Sequence, residues 1–292
     1  MKKIAIALVL SITSMVAPAS AAEPMKTIVI IDTGYDSSVA QFAGKIVYEK
    51  CLTSAIPSCP NGKSNQEGSF SAALSKEQLS VYTADHGTKM LATSIWANPN
   101  AAIIFVRVSS ITKNSIVYPS DIDIVQILSW VYLNRNKMNI GAVALSASRN
   151  VSSCNPPAVL YSAVQVLKTA GIPTIVAAGN SYNYKMTGYP ACMNNVISVG
   201  ATDTTGISLF SNYSKDFYAT GTLNVNLYNR IEQISGTSEA AQVFAANWVA
   251  IKQAKPTLTY DQQYALIKNT STSVSNVYLK NLPAINLAGA IK

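Results

Sequence analysis

Charged residues are scarce in this sequence. They form 12% of its 292 residues, about half the usual share, whereas hydrophobic residues form 49%. A disordered chain has the opposite balance, so the composition predicts a packed globular protein. The length suits one large domain or two small ones. Because no Pro-, Gly- or Ser-rich linker divides the chain, we expect one domain over residues 22–292.

Dense positive charge is also missing, although the formal net charge is +8. The closest group of basic residues is Arg135 and Lys137, which is too small to follow a phosphate backbone. The sequence therefore predicts no nucleic-acid partner.

Long hydrophobic runs are missing beyond the first residues. Residues 1–21 contain Lys2 and Lys3, then the apolar run Ile4–Val16, then small residues ending at Ala21. This order is typical of an export signal, here cleaved before Ala22. The run is shorter than the roughly 18 residues that span a bilayer. We expect a secreted or periplasmic protein with no membrane contact after signal cleavage.

Cysteines are few but even in number, and four of them allow three pairings. Cys51 and Cys59 bracket a short loop, which predicts a disulfide Cys51–Cys59 and leaves Cys154–Cys192 as the second bridge. A zinc site is the alternative, but the cysteines lack CxxC spacing and the single histidine is distant in sequence. The sequence predicts no metal.

Short apolar runs alternate with helical patterns along the chain. The predicted strands are Thr27–Ile31, Ala102–Val108, Ala142–Leu145, Thr174–Ala178 and Val196–Val199. The predicted helices are 88–96, 120–138, 157–170 and 238–253. The polar stretch Ser58–Ser71 is expected at the surface. Continuously apolar strands that alternate with helices predict an α/β fold, with a doubly wound, mainly parallel sheet and helices on both faces.

The helix predicted after Pro119 has a clear start signal. Ser120 can cap it, and Asp123 three residues later completes a capping box. We expect the inner face of this helix to carry Ile122, Val125, Leu128 and Tyr132.

Four residues could take part in chemistry, and each also has an ordinary structural interpretation. His86 is the only histidine and enters a predicted helix, although a lone histidine is usually structural. Asp32 and Asn180 each follow a buried strand, where they could form turns or face a ligand crevice. Ser238 starts a helix, where it could be a cap or a nucleophile beside free backbone N–H groups.

Taken together, these residues resemble the subtilisin-like serine peptidases. The motifs are IIDTG around Asp32, DHGT around His86, IVAAGN around Asn180 and SGTSEAA around Ser238. Their order of Asp, His and Ser is that of the family. The likeness extends through Gly188-Tyr189-Pro190 to the final helix, and so spans nearly the whole mature chain.

The resemblance implies hydrolysis of protein or peptide substrates without a cofactor. Ser238 would attack the carbonyl, His86 would take its proton and Asp32 would orient the imidazole. Asn180 would donate to the oxyanion, and the strand Val143–Ser148 would pair with the substrate backbone. The residues implied to contact substrate are Ser146, Ala147, Ser148, Ala177, Ala178, Gly179 and Gly188.

The sequence departs from the family pattern at several positions. Glu239 follows the nucleophile where a small or apolar residue is usual, and Ala241 replaces a common proline. Ser148 and Arg149 replace glycines in the substrate strand. Because few residues separate the predicted cleavage site from Asp32, we expect no pro-segment there, which makes a separate folding chaperone or inhibitor a candidate partner. A calcium loop is also not recognisable.

Two other functions compete with this interpretation. The Asp32-Thr33-Gly34 motif matches aspartic proteases, but that chemistry needs a second carboxylate motif, which the sequence lacks. The chain could instead be a non-catalytic subtilisin-like scaffold that binds peptides after export. Glu239 favours that alternative, whereas the complete set of catalytic residues argues against it.

Overall fold

The structure is a computed structural model and describes residues 26–292. The predicted export signal, residues 1–21, and its cleavage site lie outside the described residues. The strands are β1 Thr27–Asp32, β2 Ile46–Leu52, β3 Asn65–Glu67, β4 Ala102–Arg107, β5 Ser110–Ile111, β6 Ile116–Val117, β7 Ile140–Leu145, β8 Thr174–Ala177, β9 Ile197–Asp203, β10 Gly206–Ile207, β11 Phe217–Thr220, β12 Thr222–Leu227, β13 Arg230–Ser235, β14 Thr272–Val274 and β15 Leu282–Ala284. The helices are α1 Lys76–Leu79, α2 His86–Ala97, α3 Asp121–Asn134, α4 Ala158–Thr169, α5 Thr237–Ala254, α6 Tyr260–Thr270 and α7 Leu287–Ile291, and a 3-10 turn covers Ala40–Phe42.

One sheet organises the molecule, in the order β14-β15-β11-β9-β8-β7-β1-β4-β2-β3, with β10 paired to β9. The strands from β15 to β2 in this order are parallel to their neighbours, and β3, β10 and β14 are antiparallel. The predicted α/β fold with a mainly parallel sheet is therefore confirmed.

The central strands bury both of their faces because helices cover both sides of the sheet. In β1, Ile28 and Ile30 join a core with α2 and α5, whereas Val29 and Ile31 join a core with α3 and α4. Helices α6 and α7 contribute Ile267 and Ala290 to the first of these cores. This two-sided burial explains why the strands are continuously apolar in sequence.

Helix α3 starts as expected, but one residue predicted on its inner face is exposed. Ser120 and Asp123 form the predicted capping box, and Asp123 also accepts a hydrogen bond from Ser54. These bonds turn Asp123 inward and leave the neighbouring Ile122 about half exposed. The prediction that Ile122 faces the core was therefore wrong, whereas Val125 and Tyr132 are partly buried and pack against the core as expected. The buried residues of α3, besides Asp123, are Ile124, Ile127, Leu128 and Val131. The helix also ends at Asn134, before the expected Met138.

Two disulfides link surface segments to the sheet region. Cys51 is joined to Cys59 and Cys154 to Cys192, which is the pairing expected from the sequence. The polar stretch 58–71 is mostly exposed, but part of it forms β3 and pairs with β2. Within residues 26–292, no helix combines the length and apolar character required to cross a membrane.

Candidate active site

The carboxyl ends of β1, β7 and β8 meet at a cleft of about 540 Å³. Asp32 is the last residue of β1, Ser146 directly follows β7, and Asn180 lies shortly after the end of β8. Helices α2 and α5 bring His86 and Ser238 to the same cleft. The sheet order changes direction around β1, and crevices at such positions commonly bind ligands in α/β proteins.

Asp32 and His86 are in direct contact. The distance between Asp32 Oδ1 and His86 Nδ1 is 2.8 Å, although the two residues are 54 positions apart in sequence. The Asp32 side chain is only 3% exposed, whereas that of His86 is 32% exposed. The Thr33 N–H donates to the same carboxylate oxygen at 2.7 Å. The carboxylate is therefore fixed while the opposite edge of the imidazole remains open to the cleft.

Close backbone packing brings His86 to Asp32. The Thr33 hydroxyl donates to the Ala84 carbonyl at 2.9 Å and accepts from the Gly87 N–H at 3.0 Å, which ties the start of α2 to the end of β1. A Cβ at Gly87 would lie 2.1 Å from the Gly34 carbonyl oxygen. Only glycine permits this approach, so Gly87 is required for the Asp–His contact.

The charged surroundings of His86 favour its protonated form. Burial lowers its pKa and is the largest single influence. The charge of Asp32 and the hydrogen bond to it, followed by the charges of Glu239 and Asp85, outweigh burial and raise the pKa of His86 to about 9.

Ser238 lies in the first turn of α5 and is 7% exposed. Its hydroxyl donates to the Ser146 carbonyl at 3.2 Å, and within residues 26–292 it has no hydrogen bond to His86. Catalytic hydrogen bonds in unliganded enzymes are often long and tighten when substrate binds. Rotation about one side-chain bond redirects the hydroxyl, so this geometry keeps Ser238 available as a nucleophile.

Asn180 is oriented by the residue that precedes Ser238. Its Oδ1 accepts from the Thr237 N–H at 2.9 Å and from the Thr237 hydroxyl at 2.8 Å. The Thr237 hydroxyl also accepts from the Gly179 N–H at 3.0 Å. With Oδ1 engaged, the Asn180 amide N–H groups are left without partners among the described residues. They can therefore donate to a group in the cleft.

The residues expected to contact substrate fall into two groups, those that line the cleft and those that do not. Those that line the cleft are Ser146, Ala147, Ser148, Ala177 and Gly179. Ala178 and Gly188 are not among the lining residues, and the Gly188 N–H donates to the Ala178 carbonyl at 2.8 Å. The strand expected to pair with substrate is shorter than predicted. Val143–Leu145 are already paired with β8 and β1, so only the segment 146–148 is left for substrate.

Sequence reasoning missed two buried side chains that hold the cleft together. Gln242 donates to the Ser146 hydroxyl at 2.8 Å and accepts from Ser94 of α2 at 2.9 Å. Its position one turn after Ser238 was the available signal. Asn212 accepts from the Ser181 and Asn183 N–H groups and donates to the Ala178 carbonyl. Asn212 lies about thirty residues from the loop it orders, and no local sequence pattern points to it.

Glu239 is the most unusual residue of the site. Its side chain is buried, and a Cβ at Gly236 would lie 2.5 Å from its Oε2. The carboxylate therefore folds back towards the start of α5, beside the nucleophile. Burial raises the pKa of the Glu239 carboxyl, and the charge of His86 opposes that rise.

Metal-binding groups do not cluster in the part of the chain that the structure describes. No set of three or more His, Cys, Asp or Glu side chains there is placed to hold an ion.

A parallel sheet with aspartate, histidine and serine in the cleft at its carboxyl edge is the arrangement of serine endopeptidases of the subtilisin class. A family model described as the subtilase family, Peptidase_S8, matches residues 26–283. The chain therefore belongs to the subtilase family of serine endopeptidases.

Individual relatives agree with this membership. Subtilisin BL of Lederbergia lenta is 28% identical over 217 residues, which cover 71% of this chain and 77% of the relative. An alkaline protease of Alkalihalobacillus alcalophilus is also 28% identical and covers 71% of this chain, but the match spans only 55% of that relative.

Solved structures share the fold. Proteases from Pseudoalteromonas arctica align with a TM-score of 0.72 at 20% identity, covering 91% of this chain and 89% of theirs. A cold-adapted subtilisin-like serine proteinase aligns with a TM-score of 0.65 at 24% identity, covering 88% and 87%. At these identities the likeness concerns the fold alone.

Proposed function

We propose that this protein hydrolyses peptide bonds through an acyl-enzyme formed on Ser238. The observation that carries the proposal is the 2.8 Å contact between the buried Asp32 carboxylate and His86, in a cleft that also holds Ser238. A purely structural histidine needs no serine at a helix start beside it. Family membership supports the same chemistry.

The proposed reaction proceeds in two stages. The Ser238 oxygen attacks the peptide carbonyl while His86 Nε2 takes its proton, and Asp32 stabilises the resulting imidazolium. His86 then gives this proton to the leaving amine as the peptide bond breaks. In the second stage, water attacks the ester carbonyl, passes a proton to His86 and releases the carboxyl product, and the proton returns to Ser238.

Two donors are proposed for the oxyanion that forms in each stage. One is the Asn180 amide, whose orientation is fixed by Thr237. The other is the Ser238 backbone N–H in the first turn of α5, where N–H groups lack intrahelical partners. Such preoriented donors stabilise the transition state more than the ground state.

Protein or peptide substrates are supported by the segment after β7, which pairs with no strand among the described residues. The segment 146–148 directly follows β7, and an extended substrate can be added beside it as a further strand. The mature domain is proposed to be 22–292 and to act after export. The two disulfides support this location, because such bonds persist in oxidising compartments.

A fluorophosphonate probe tests the proposal, since it labels only an activated serine. We expect the parent protein to be labelled at Ser238 and the Ser238→Ala variant to be neither labelled nor active. Ser235→Ala is the matched control, because Ser235 is exposed and does not line the cleft. Combining Ser238→Ala with His86→Ala should cost little more than either change alone, since the residues act as one unit. Peptide binding without labelling or turnover would instead identify a non-catalytic scaffold.

A further inference from the structure

A second cavity lies at the opposite edge of the sheet from the catalytic cleft. Its volume is about 750 Å³, larger than that of the cleft. Its walls include Lys26 before β1, Gly141 in β7 and Gly171 before β8, which are at the amino ends of these strands. Since β1 has six residues, the cavity is roughly 20 Å from the catalytic edge.

The charges around this cavity are strongly unbalanced. Four cationic side chains line it, and Asp261 is the only acid among the lining residues. The four cations are Lys26, Arg135, Lys168 and Lys252. Within residues 26–292 none of them forms an ion pair. All four are half-buried, so water screens them less than ordinary surface charges.

The present partners of these cations are neutral. Lys26 donates to the Asn139 side chain at 2.7 Å, and Lys252 donates to the Leu258 carbonyl. Lys168 Nζ lies 5.3 Å from the centre of the Tyr260 ring. Neutral acceptors hold the side chains in place but leave their charge uncompensated.

Two of the cations repel each other. Burial lowers the pKa of Lys252, and the charge of Lys26 lowers it further. An anion placed between the two ammonium groups would offset this repulsion.

We propose that this cavity is a binding site for a small multivalent anion of the phosphate class. The four cations line one cavity beside the amino end of β1 and the carboxyl ends of α3, α4 and α5, so one anion there would join the amino edge of the sheet to the ends of three helices. It would also brace the carboxyl end of α5, the helix whose other end carries Ser238. The proposal does not depend on the peptidase activity.

A simpler explanation accounts for part of this arrangement. Arg135, Lys168 and Lys252 lie at the carboxyl ends of their helices, where positive charge is favourable without any ligand. Lys26 precedes a strand and gains nothing from a helix end. The two explanations predict different results when Lys26 and Lys252 are replaced. They differ in the stability of the variant without an anion, and in how that stability responds to an added anion.

The test is a thermal-unfolding series in the Ser238→Ala background, which excludes self-digestion. Sodium pyrophosphate in the millimolar range is compared with sodium chloride of equal ionic strength, with EDTA in every sample so that chelation does not contribute. We expect pyrophosphate to raise Tm by at least about 2 °C. The double variant Lys26→Gln/Lys252→Gln should lose this rise, yet be no less stable than the background in chloride alone.

The control variant is Lys63→Gln/Lys113→Gln, which removes the same charge from exposed positions outside the cavity. It should keep the full response to pyrophosphate. Should the first double variant not fold, Lys168→Gln gives the same comparison. Absence of any rise in the background, or an equal rise in the cavity variant, overturns the proposal.

A further arm separates the two sources of phosphate. Flotation with phosphatidylglycerol vesicles, in which the background binds and the Lys26/Lys252 variant does not, would identify a lipid headgroup. A response confined to pyrophosphate and inorganic phosphate would identify a free anion.

Discussion

Glu239 gives the site two opposing electrostatic effects. Its negative charge stabilises protonated His86, and it also opposes the negative oxyanion that would form beside Ser238. A general base must be neutral, so catalysis requires a pH at which His86 has lost its proton. With a His86 pKa of about 9, kcat/KM of the parent should rise with pH and reach half its plateau near pH 9.

We predict that Glu239→Gln shifts the acidic limb of the kcat/KM profile towards lower pH. The amide removes one negative charge that holds the proton on His86, while its size stays nearly the same. The measurement is kcat/KM for one peptide substrate across the pH range. Glu232→Gln is the control, because Glu232 faces Lys89 and is not among the charges that act on His86. A profile that does not move in Glu239→Gln would show that Glu239 has no influence on the base.

Ser148 occupies space that a substrate side chain could otherwise enter. A Cβ at Gly188 would lie 2.1 Å from Ser148 Oγ, and a Cβ at Gly179 would lie 3.2 Å from it. The hydroxyl therefore fills the space beside Gly179 and Gly188, two of the residues that the family resemblance implies to contact substrate. We infer that this part of the cleft receives the substrate residue before the scissile bond and prefers small side chains.

We predict that Ser148→Gly widens this preference. The kcat/KM for a substrate with phenylalanine before the scissile bond should increase roughly tenfold relative to the alanine substrate, because one extra group in a pocket is worth about 1–3 kcal/mol. The control is Ser152→Gly, which makes the same change at an exposed position outside the cleft. An unchanged ratio would mean that another wall limits the pocket.

At the level of whole elements, the Cys154–Cys192 bridge holds one wall of the cleft. It closes a loop between residues 38 positions apart, and the Cys192 N–H also donates to the Gly188 carbonyl. We predict that Cys154→Ser/Cys192→Ser lowers the free energy of unfolding by about 4 kcal/mol, from chain entropy. It should also raise KM, since the segment carrying Gly188 gains freedom.

Urea unfolding in the Ser238→Ala background measures the stability, and peptide kinetics in the active protein measure KM. Cys51→Ala/Cys59→Ala is the comparison, because that shorter loop does not line the cleft and should leave KM unchanged. Equal KM values for both double variants would show that the Cys154–Cys192 bridge does not affect substrate binding.

Elements with a strong local signal were predictable from the sequence. The five central strands are buried on both faces, so their apolar runs stand out, and the Ser120 box fixes the start of α3. The inward position of Asp123 in α3, which leaves Ile122 exposed, was not predictable, because it depends on the bond from Ser54, which is distant in sequence. The β12–β13 hairpin was also missed. Its turn residues Tyr228 and Asn229 both have positive φ, without the usual Asn-Gly signal.

In the candidate site, too, local motifs were predictable from the sequence and contacts between remote segments were not. Asp32, His86, Asn180 and Ser238 come from motifs with a fixed local form, and the structure brings them to one cleft. The shape of the cleft walls depends on packing between segments that are distant in sequence. The approach of the Ser148 hydroxyl to Gly188 is an example. Sequence alone does not give such distances.

For the whole molecule, stability and activity should respond to pH in opposite directions. His86 has a pKa of about 9 in the folded protein against about 6.5 in an unfolded chain, so the folded state binds this proton more tightly. The stability that His86 contributes is therefore complete below pH 6.5 and is lost as the pH rises through 9. Burial also raises the pKa of the Glu239 carboxyl, which acts in the same sense, and burial raises those of Tyr48 and Tyr228 to about 12, which extends the decline above pH 10.

We predict that the free energy of unfolding of Ser238→Ala falls steadily between pH 6.5 and 9, while kcat/KM of the parent rises over the same interval. Urea unfolding at closely spaced pH values measures the first quantity and peptide hydrolysis the second. The double variant His86→Ala/Ser238→Ala should lose most of the slope, because it lacks the group that titrates there. If that variant kept the full slope, the proton on His86 would not be the link between the two profiles, and the opposition between stability and activity would have to come from other groups.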